Sequence, residues 1–509
     1  MTGGGNHLTP PFWRAWESPW FHWVLVGLGW VFCLRQYLFN RTLWLDESLL
    51  AMNVLNRGFA ALAQPLDDQQ SAPVGFLWLV KTATLAFGTS EPALRLVPLL
   101  ATLAGLAWFA RAARLWLSPR AAPFATGFAA CSGVVIYYAS ELKQYAMDFA
   151  AAAALCALLA RVEREPERMR AHVWLALAGA VMIWFSHGAL LLLAGIGVTL
   201  AARAWGSRDG RRIYPLMVLA CAWGNSLLAL YFASLRQLGG HAGLHQYWAG
   251  FGDYGAERGF APFPPRSLED VLWYPQTLYA LFGGEEGPVA SRVAPVMLLV
   301  CGLGVWRGFR ENPGRKWLLL LPPLVALALS MLGQYPFHGR LLLFALPGIL
   351  LLTAEGLTVL ERVLPAGGKG AWAAVMLVLL APTAASSALK LVQPRAREDM
   401  RAPLEHLQAN LRPGDVLFMD HQRRRQYDYY RGRYGLDRAR VVIGTALRME
   451  ALDYARELEA LRGHSRVWVL YSHTPGEASL VRDQLSQWGR VLEEREGRGT
   501  RATLFDLRG

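Results

Sequence analysis

The sequence predicts a polytopic α-helical membrane protein that carries a soluble α/β domain in its C-terminal part. Of its 509 residues, 54% are hydrophobic and 17% are charged, whereas soluble domains carry about 25% charged residues. Apolar runs of roughly 20 residues, the length that an α-helix needs to cross a bilayer, recur up to residue 390. After residue 391 the pattern changes to short strand-like runs that alternate with helical ones.

The apolar runs predict about eleven spanning helices in a membrane domain of residues 1–390. Their approximate ranges are 20–39, 94–116, 122–138, 145–161, 172–187, 188–203, 213–232, 292–306, 317–334, 341–361 and 371–390. The first run is too long for a signal peptide and lacks a small-residue cleavage site, so it is predicted to be a retained helix. Residues 172–205 are too many for one helix in a bilayer about 30 Å thick. Two helices with a tight external turn at Ser186-His187-Gly188 are predicted instead.

Arginine-rich loops predict the orientation of the chain. Every second predicted loop is basic, for example residues 161–170 and 203–212, and basic loops stay on the cytoplasmic side. The N-terminus is therefore predicted to be cytoplasmic. Residues after 391 are predicted on the periplasmic or extracellular face of a bacterial cytoplasmic membrane. Because much of the net charge of +13 is explained by these loops, it does not indicate a nucleic-acid partner.

Three external stretches are longer than simple loops. Residues 40–93 are amphipathic and predict two helices that lie in the membrane surface, in contact with lipid. Residues 233–291 are rich in Gly, Pro and aromatic residues and predict a cap. Residues 391–509 contain the strand-like runs DVLFMD, RVVIG, RVWVLYS and ATLFDL, which alternate with helical runs such as MEALDYARELEAL and EASLVRDQLSQWG. This order predicts an α/β layer domain.

An acidic pair, Asp46 and Glu47 in LWLDES, follows the first predicted span on its external side. Two interpretations are open at this point. The carboxylates could be interfacial polar residues that end a helix, or one could accept a proton from an attacking hydroxyl group. Partial burial among surface helices would raise the pKa of Asp46 and make it a stronger base.

The segment YYASELKQYAMD, residues 137–148, is predicted on the same external side. Glu141, Tyr145 and Asp148 are spaced at i, i+4 and i+7, so one helix could present all three on a single face. Lys143 lies among them. Ionisable residues at membrane depth are costly and usually functional, although an internally neutralised Glu–Lys–Asp cluster remains the alternative.

Four further residues are candidates for ligand contacts on this side. Arg340 opens the tenth predicted span, where an arginine either reaches lipid headgroups or holds a phosphate with its guanidinium fork. Arg95, at the start of the second span, could bind a phosphate or a carboxylate. His187 could be a functional residue or a hydrogen-bonded turn histidine. Trp248 in the cap could stack on a sugar or serve only in packing.

Cofactor chemistry has no support in the sequence. The five cysteines all lie in apolar segments and show no metal-ligand spacing. An acidic pair can hold Mg²⁺ or Mn²⁺, whereas a site rich in arginine and lysine needs no cation. No cofactor is therefore predicted, and a divalent metal stays an open alternative without support in the sequence. No Walker loop or GxGxxG fingerprint lies where its mechanism would need it, which argues against ATP-driven transport and hydride transfer.

Taken in order, these segments resemble the GT-C glycosyltransferases, and in particular the protein O-mannosyltransferases and the bacterial aminoarabinose transferases. LDES resembles the acidic motif of those enzymes, APVGFLWL resembles their proline pair and surface helix, and SEPALRLVP resembles the entry to their second span. YYASELKQYAMD, YPFHGRLLLFALP and RVWVLYSH also resemble segments of related bacterial enzymes. The chain departs from the pattern at Gln70-Ser71-Ala72-Pro73, where a family lysine is missing; Lys81 or Lys143 could replace it.

The resemblance implies a GT-C fold and an enzyme that takes a sugar from a polyprenyl-phosphate donor and transfers it, with inversion, to a hydroxyl group of a lipid, glycan or protein. It implies that Asp46 is the general base and Glu47 its neighbour. The implied phosphate ligands are Arg340, Lys143 and Arg95. The implied ligands of the sugar or acceptor are Glu141, Tyr145, Asp148, His187 and Trp248. Two alternatives from other classes remain, a flippase or transporter of lipid-linked sugars and a polysaccharide polymerase.

Overall fold

The computed structural model describes residues 11–207, 210–237, 242–249, 258–284, 287–363, 369–419, 423–444, 457–472 and 475–508. The α-helices before residue 165 are α1 (Pro11–Trp16), α2 (Pro19–Leu38), α3 (Leu45–Asn56), α4 (Val74–Phe87), α5 (Glu91–Trp116), α6 (Ala121–Cys131), α7 (Gly133–Tyr138) and α8 (Tyr145–Arg164). Those that follow are α9 (Met169–Met182), α10 (His187–Ser207), α11 (Ile213–Ala233), α12 (Ala242–Trp248), α13 (Leu268–Ala280), α14 (Ala294–Glu311), α15 (Pro313–Met331), α16 (Leu346–Val363), α17 (Lys369–Val392), α18 (Arg401–Asn410), α19 (Arg424–Tyr434) and α20 (Pro475–Trp488).

The helical part of the chain is that of a multi-pass membrane protein. Among the described residues, six helices are long and apolar enough to cross a bilayer, and they include α5, α8 and α10. Shorter apolar helices lie between them, and the predicted number of eleven spans stays a prediction. The helices pack closely where glycine removes a side chain. A Cβ atom at Gly105 of α5 would lie 2.9 Å from the Phe149 ring and 3.0 Å from the Cα of Ala150, both on α8.

The predicted pair of helices in residues 172–205 is confirmed as α9 and α10, which are separated by a turn at residues 183–186. The predicted third span, 122–138, is wrong as one continuous helix. Ser132 adopts an extended backbone (φ −65°, ψ 118°) and divides it into α6 and α7. The apolar pattern runs through this break without a change, so the sequence did not indicate it.

Residues 40–93 contain the two predicted helices, α3 and α4. Lys81 on α4 donates hydrogen bonds to the backbone oxygens of Val54 (2.9 Å) and Leu55 (3.2 Å), near the C-terminal end of α3. Its cation therefore satisfies carbonyl groups that a helix end leaves without partners. These contacts join α3 to α4.

The C-terminal part forms an α/β domain, as predicted. Its sheet has the strand order β2-β1-β3-β5-β4. The strands are β1 (Val416–Met419), β2 (Arg440–Ile443), β3 (Val467–Ser472), β4 (Arg490–Gly497) and β5 (Thr500–Asp506). Strands β1, β2 and β3 are parallel, whereas β5 is antiparallel to β3 and β4.

Strand β4 was not predicted. It lies at the edge of the sheet, is mostly exposed and contains Glu493, Glu494 and Arg495. Charged edge strands are common because the charge discourages pairing with other chains, but they lack the apolar alternation that marks a strand. The predicted helix MEALDYARELEAL falls mostly on residues 445–456, outside the described residues.

The α/β domain packs directly on residues 40–93. One hydrophobic cluster contains Leu50 of α3, Leu77 of α4, and Leu404 and Tyr430 of the domain. The Tyr430 hydroxyl accepts a hydrogen bond from the backbone N–H of Leu43 at 2.7 Å. The predicted boundary at residue 391 stays a prediction, but the two parts share a core across it.

Candidate active site

The chain turns sharply between α2 and α3, and this turn brings the acidic pair to the site. Asn40 has a φ of +48°, a left-handed conformation that asparagine tolerates better than most residues. At the start of α3 the Glu47 carboxylate lies 3.5 Å from the backbone nitrogen of Trp44. Asp46 and Glu47 both lie in the first turn of α3, where the helix dipole favours negative charge.

The Asp46 carboxylate lies between two cations that come from distant parts of the chain. Its Oδ1 is 3.2 Å from Nζ of Lys143, in the turn before α8. Its Oδ2 is 3.1 Å from Nη2 of Arg340, in the 3-10 turn Gly339–Leu342 before α16. The Asp46 side chain remains 20% exposed. Lys143 also donates a 2.7 Å hydrogen bond to Oε1 of Gln70, so the segment that departs from the family pattern contributes a different residue to the same site.

The prediction of a raised pKa at Asp46 is wrong. Burial does raise the pKa of this carboxyl, but the charges of Lys143 and Arg340 and a hydrogen bond from Lys143 outweigh it and lower the pKa to about 2. Asp46 is therefore a carboxylate at neutral pH. The sequence could not show that two cations converge on this group.

Glu47 is enclosed by other residues and has no exposed side-chain surface. Arg95 binds it with two parallel contacts, Nε to Oε1 at 2.8 Å and Nη2 to Oε2 at 2.6 Å. The backbone N–H of Leu142 donates to Oε1 at 2.8 Å. Burial raises the pKa of Glu47, but the charges of Arg95 and Arg41 outweigh it and hold the pKa below its ordinary value.

The Arg95 guanidinium makes all its described contacts within this buried region. Besides Glu47, its guanidinium donates to the backbone oxygens of Arg41 (2.6 Å) and Thr42 (3.2 Å). The side chain is almost fully buried. These contacts tie α5 to the turn that precedes α3, which is a positioning role. The phosphate contact that the sequence suggested for Arg95 stays a prediction.

Glu141 does not share a helix face with Tyr145 and Asp148, so that prediction is wrong. Helix α7 ends at Tyr138 and α8 begins at Tyr145, so Glu141 lies in the turn between them. Its carboxylate is buried, Arg41 lies 3.8 Å from it, and neither oxygen has a hydrogen-bond partner in the part of the chain that the structure describes. Burial raises the pKa of Glu141 in spite of the nearby arginines.

Asp148 and His187 lie where α8 meets the start of α10. The Ser186 hydroxyl donates to Oδ1 of Asp148 at 2.5 Å and accepts from the backbone N–H of Ala189 at 3.0 Å. The backbone N–H of Gly188 also donates to Asp148. His187 is the first residue of α10. These contacts cap the helix and account for the position of Asp148 without a ligand.

Aromatic residues surround the Arg340 guanidinium. Its carbon lies 5.5 Å from the ring centroid of Tyr145 and 5.8 Å from that of Trp44. The ring of Trp248, at the end of α12, lies 5.7 Å from His338 in the segment that carries Arg340. The cap therefore contacts the segment that supplies one of the two cations.

The sequence analysis missed Arg41 and Arg397. Arg41 is buried and lies over the Tyr137 ring. Arg397, in the connection between α17 and α18, lies over Trp44 and donates to the Tyr138 hydroxyl at 3.1 Å. One signal could have found Arg397: it lies on the predicted external side directly after a span, where the positive-inside rule expects few cations.

No group of three His, Cys, Asp or Glu side chains within the described ranges is arranged to hold a metal ion. The cations that face Asp46 come from side chains instead.

Comparisons with known proteins identify the fold. No protein-family model matches the chain, and no curated protein is detectably similar in sequence. Solved structures are similar. ArnT, the aminoarabinose transferase of Cupriavidus metallidurans, bound to undecaprenyl phosphate, has 14% identity and a TM-score of 0.53, over 97% of this chain and 98% of that chain. The apo oligosaccharyltransferase of Archaeoglobus fulgidus has 11% identity and a TM-score of 0.54, over 96% and 75%.

A further structure of the archaeal oligosaccharyltransferase, AglB, in complex with an inhibitory peptide and a dolichol-phosphate, has 12% identity and a TM-score of 0.52, over 96% of this chain and 74% of that chain. Another, in complex with Zn and sulfate, has a TM-score of 0.53 and 11% identity, over 94% and 72%. All of these are GT-C glycosyltransferases. The chain therefore has the GT-C fold that its sequence resemblance implied.

Proposed function

We propose that this chain is a membrane glycosyltransferase that moves a sugar from a polyprenyl-phosphate donor to a hydroxyl acceptor. The observation that carries the proposal is the Asp46 carboxylate held by Lys143 and Arg340 within a GT-C fold. The similar structures support a lipid-phosphate donor, since one was solved with undecaprenyl phosphate and another with a dolichol-phosphate.

In the proposed reaction the acceptor hydroxyl gives its proton to Asp46. The acceptor oxygen forms a bond to the anomeric carbon as the bond from that carbon to the phosphate oxygen breaks. A single displacement of this kind inverts the anomeric configuration. The bonding electrons leave with the polyprenyl phosphate, and Lys143 and Arg340 stabilise the added negative charge. General-base help is worth roughly 10²–10⁴ in rate.

The two cations connect donor binding to the strength of the base. In the free site they lower the pKa of Asp46 to about 2, which makes it a weak base. A donor phosphate that draws on the charges of Lys143 and Arg340 weakens their hold on the carboxylate. The pKa of Asp46 then rises toward that of a buried carboxyl, and its basicity increases when the donor is bound.

The other site residues have positioning or binding roles in this proposal. Glu47 and Arg95 hold the first turn of α3 in place. The Glu141 carboxylate, which has no hydrogen-bond partner among the described residues, fits a contact with a sugar or acceptor hydroxyl. Tyr145 offers a ring near Arg340, and Trp248 offers one near His338. Asp148 and His187, which lie where α8 meets α10, stay in the proposal as candidate ligands of the sugar or acceptor. No step needs a metal, although one similar structure was solved with Zn.

The proposed location is a bacterial cytoplasmic membrane, with the α/β domain on the periplasmic or extracellular side. Arg431 is exposed on α19 of that domain. In intact cells, a cysteine at Arg431 should react with a membrane-impermeant thiol reagent, while one at Arg168, in a predicted cytoplasmic loop, should not. The reverse labelling pattern would invert the proposed topology.

The function itself is tested with purified protein and a panel of polyprenyl-phosphate sugars, each with a mixture of lipid, glycan and peptide acceptors. Consumption of one donor and release of polyprenyl phosphate, followed by mass spectrometry, is the expected result. If sealed vesicles instead show movement of a lipid-linked sugar across the bilayer with no cleavage, the protein is a flippase. Joining of donor sugars into a chain would indicate a polymerase.

A further inference from the structure

Residues 393–400 connect α17 to α18. Hydrogen bonds to α2 and to the turn after it hold this connection on one side. Gln36 on α2 donates to the backbone oxygen of Arg395 at 2.6 Å and accepts from its N–H at 3.0 Å. The Thr42 hydroxyl accepts from the N–H of Met400 at 2.7 Å. We call these residues the linker.

The α/β domain holds the same linker from the other side. The Thr500 hydroxyl on β5 donates to the backbone oxygen of Asp399 at 2.9 Å. Arg423, at the start of α19, pairs with Glu398 at 3.0 Å. The position of the linker therefore depends both on α2 and on the docked domain.

The linker brings Arg397 to the same aromatic ring as Arg340. The Arg397 guanidinium carbon lies 4.7 Å from the ring centroid of Trp44, and the Arg340 guanidinium carbon lies 5.8 Å from the same centroid. Trp44 is two residues before Asp46 in the chain. Arg397 also donates to the hydroxyl of Tyr138, whose ring packs edge-on against Tyr145 at 5.1 Å. The two arginines thus converge on one aromatic group at the start of α3.

Several cations meet at this point. Lys143, Arg340 and Arg397 all act on Asp46, and each of them lowers its pKa. Glu141 is the other carboxyl near Arg397, and burial raises its pKa and so disfavours its charged form. Three side-chain cations therefore act together on the region around Asp46.

A donor group without an acceptor lies in the same place. The indole N–H of Trp44 is buried and has no hydrogen-bond acceptor among the described residues. Buried polar groups are normally satisfied, so this N–H is expected to meet an oxygen atom that is not part of the described chain. An oxyanion would supply an acceptor for this N–H group and would be attracted by Lys143, Arg340 and Arg397.

We propose that Arg397 is a third ligand of the donor phosphate, beside Lys143 and Arg340, and that the α/β domain completes the active site by holding the linker that carries it. This inference rests on the proposed function, because it takes the anion to be the phosphate of a polyprenyl-phosphate donor.

The test measures binding of undecaprenyl phosphate to the full-length protein in lipid nanodiscs. Arg397→Gln should weaken binding by about 10- to 100-fold, the loss typical of a charged hydrogen bond. Arg397→Lys should recover part of the affinity, because lysine keeps the charge but loses the fork. Arg395→Gln is the matched control: Arg395 lies in the same linker and over the Tyr137 ring at 4.8 Å, and its loss should change affinity by no more than about twofold.

Thermal melting separates a binding role from a structural one. If Arg397→Gln also lowers the melting temperature, Trp44→Phe provides the second measurement, since it keeps a ring beside both arginines and removes the unpartnered N–H. It should weaken lipid binding without affecting melting. Arg397→Gln with unchanged affinity would overturn the inference and leave Arg397 as a structural brace.

The wild-type protein separates the failure of this inference from that of the proposed function. Wild-type protein that binds undecaprenyl phosphate in an Arg397-dependent way but transfers no sugar from any donor would refute the transferase while leaving the third ligand in place. Sugar transfer by both wild type and Arg397→Gln, with equal donor affinity, would refute the third ligand and leave the transferase in place. A wild type that does not bind the lipid phosphate would overturn both.

Discussion

Asp46 and Glu47 are adjacent in the chain, yet they lie on two sides of the first turn of α3 that differ in almost every physical respect. On the closed side, Glu47 has no exposed side-chain surface, and Arg95 and the Leu142 N–H occupy both of its oxygens. On the open side, Asp46 is 20% exposed, and each of its oxygens has a cation at 3.1 to 3.2 Å.

The difference shows how one acidic motif can serve two purposes. The closed side places donors on both carboxylate oxygens, so breaking it would leave a buried charge without a partner. The open side holds a carboxylate between cations that a phosphate can share. A carboxylate in a saturated ion pair is a poor proton acceptor, whereas one that a substrate can release from its partners can become a base. Three changes can break or sharpen this comparison.

The largest expected effect is on the open side. Asp46→Asn keeps the shape of the side chain and removes the proton acceptor, so turnover should fall by roughly 10²–10⁴. Sugar transfer is measured with the donor found in the panel, and melting and donor binding are measured in parallel. Folded protein that binds donor but turns it over at the wild-type rate would remove the catalytic role of Asp46.

A change on the closed side should affect stability before chemistry. Glu47→Gln leaves the Arg95 charge buried without its partner, and breaking a buried pair in this way costs about 3–5 kcal/mol. The melting temperature and the yield of folded protein should therefore fall, unlike those of Asp46→Asn.

Removing both charges on the closed side provides the control. The double variant Glu47→Leu with Arg95→Met should recover part of the stability that either single variant loses, because neither member of the Glu47–Arg95 pair is left buried without the other. If Glu47→Gln melts like the wild type and loses turnover as severely as Asp46→Asn, the roles of the two carboxylates are reversed.

The smallest expected effect is a change in pH dependence. The base form of Asp46 exists above its pKa of about 2 and is lost as the pH falls through that value. The kcat/KM of the wild type should therefore not lose activity through Asp46 between pH 7 and 4. Lys143→Met removes a cation that lowers the pKa, so the acid limb should move upward by about 1–3 pH units.

Lys81→Met is the control for the pH experiment, because Lys81 contacts the end of α3 rather than Asp46. Its profile should keep the shape of the wild-type profile. An unchanged acid limb in Lys143→Met would mean that Asp46 is not the group whose protonation limits activity.

The sequence predicted most helices because their signal is local. Apolar runs marked α2, α5, α8 and α11 to within a few residues, since a spanning helix must keep its apolar surface continuous in lipid. The break at Ser132 and the edge strand β4 were missed. Neither changes the local composition in the expected way: the break interrupts no apolar run, and the strand is charged because it is exposed.

The site was predicted only in part, for a related reason. The residues Asp46, Lys143 and Arg340 were all singled out, because charges at the ends of apolar runs are rare enough to be noticed. Their pairing was not predicted, nor was the role of Arg397, because pairing depends on distance and distance depends on the whole fold. The raised pKa expected for Asp46 failed on the same ground.

The sequence by itself determined that this chain crosses a membrane several times, ends in an α/β domain and has an acidic pair after its first span. Periodicity and composition act over a few neighbouring residues, and these features depend on nothing else. Only the tertiary structure decided that Asp46 faces two cations while Glu47 is closed off by Arg95, and that the linker brings Arg397 to Trp44. Electrostatic interactions depend on separation in space and on burial, so two neighbours in the chain acquire opposite environments only when α5, the turn before α8 and the turn before α16 meet around them.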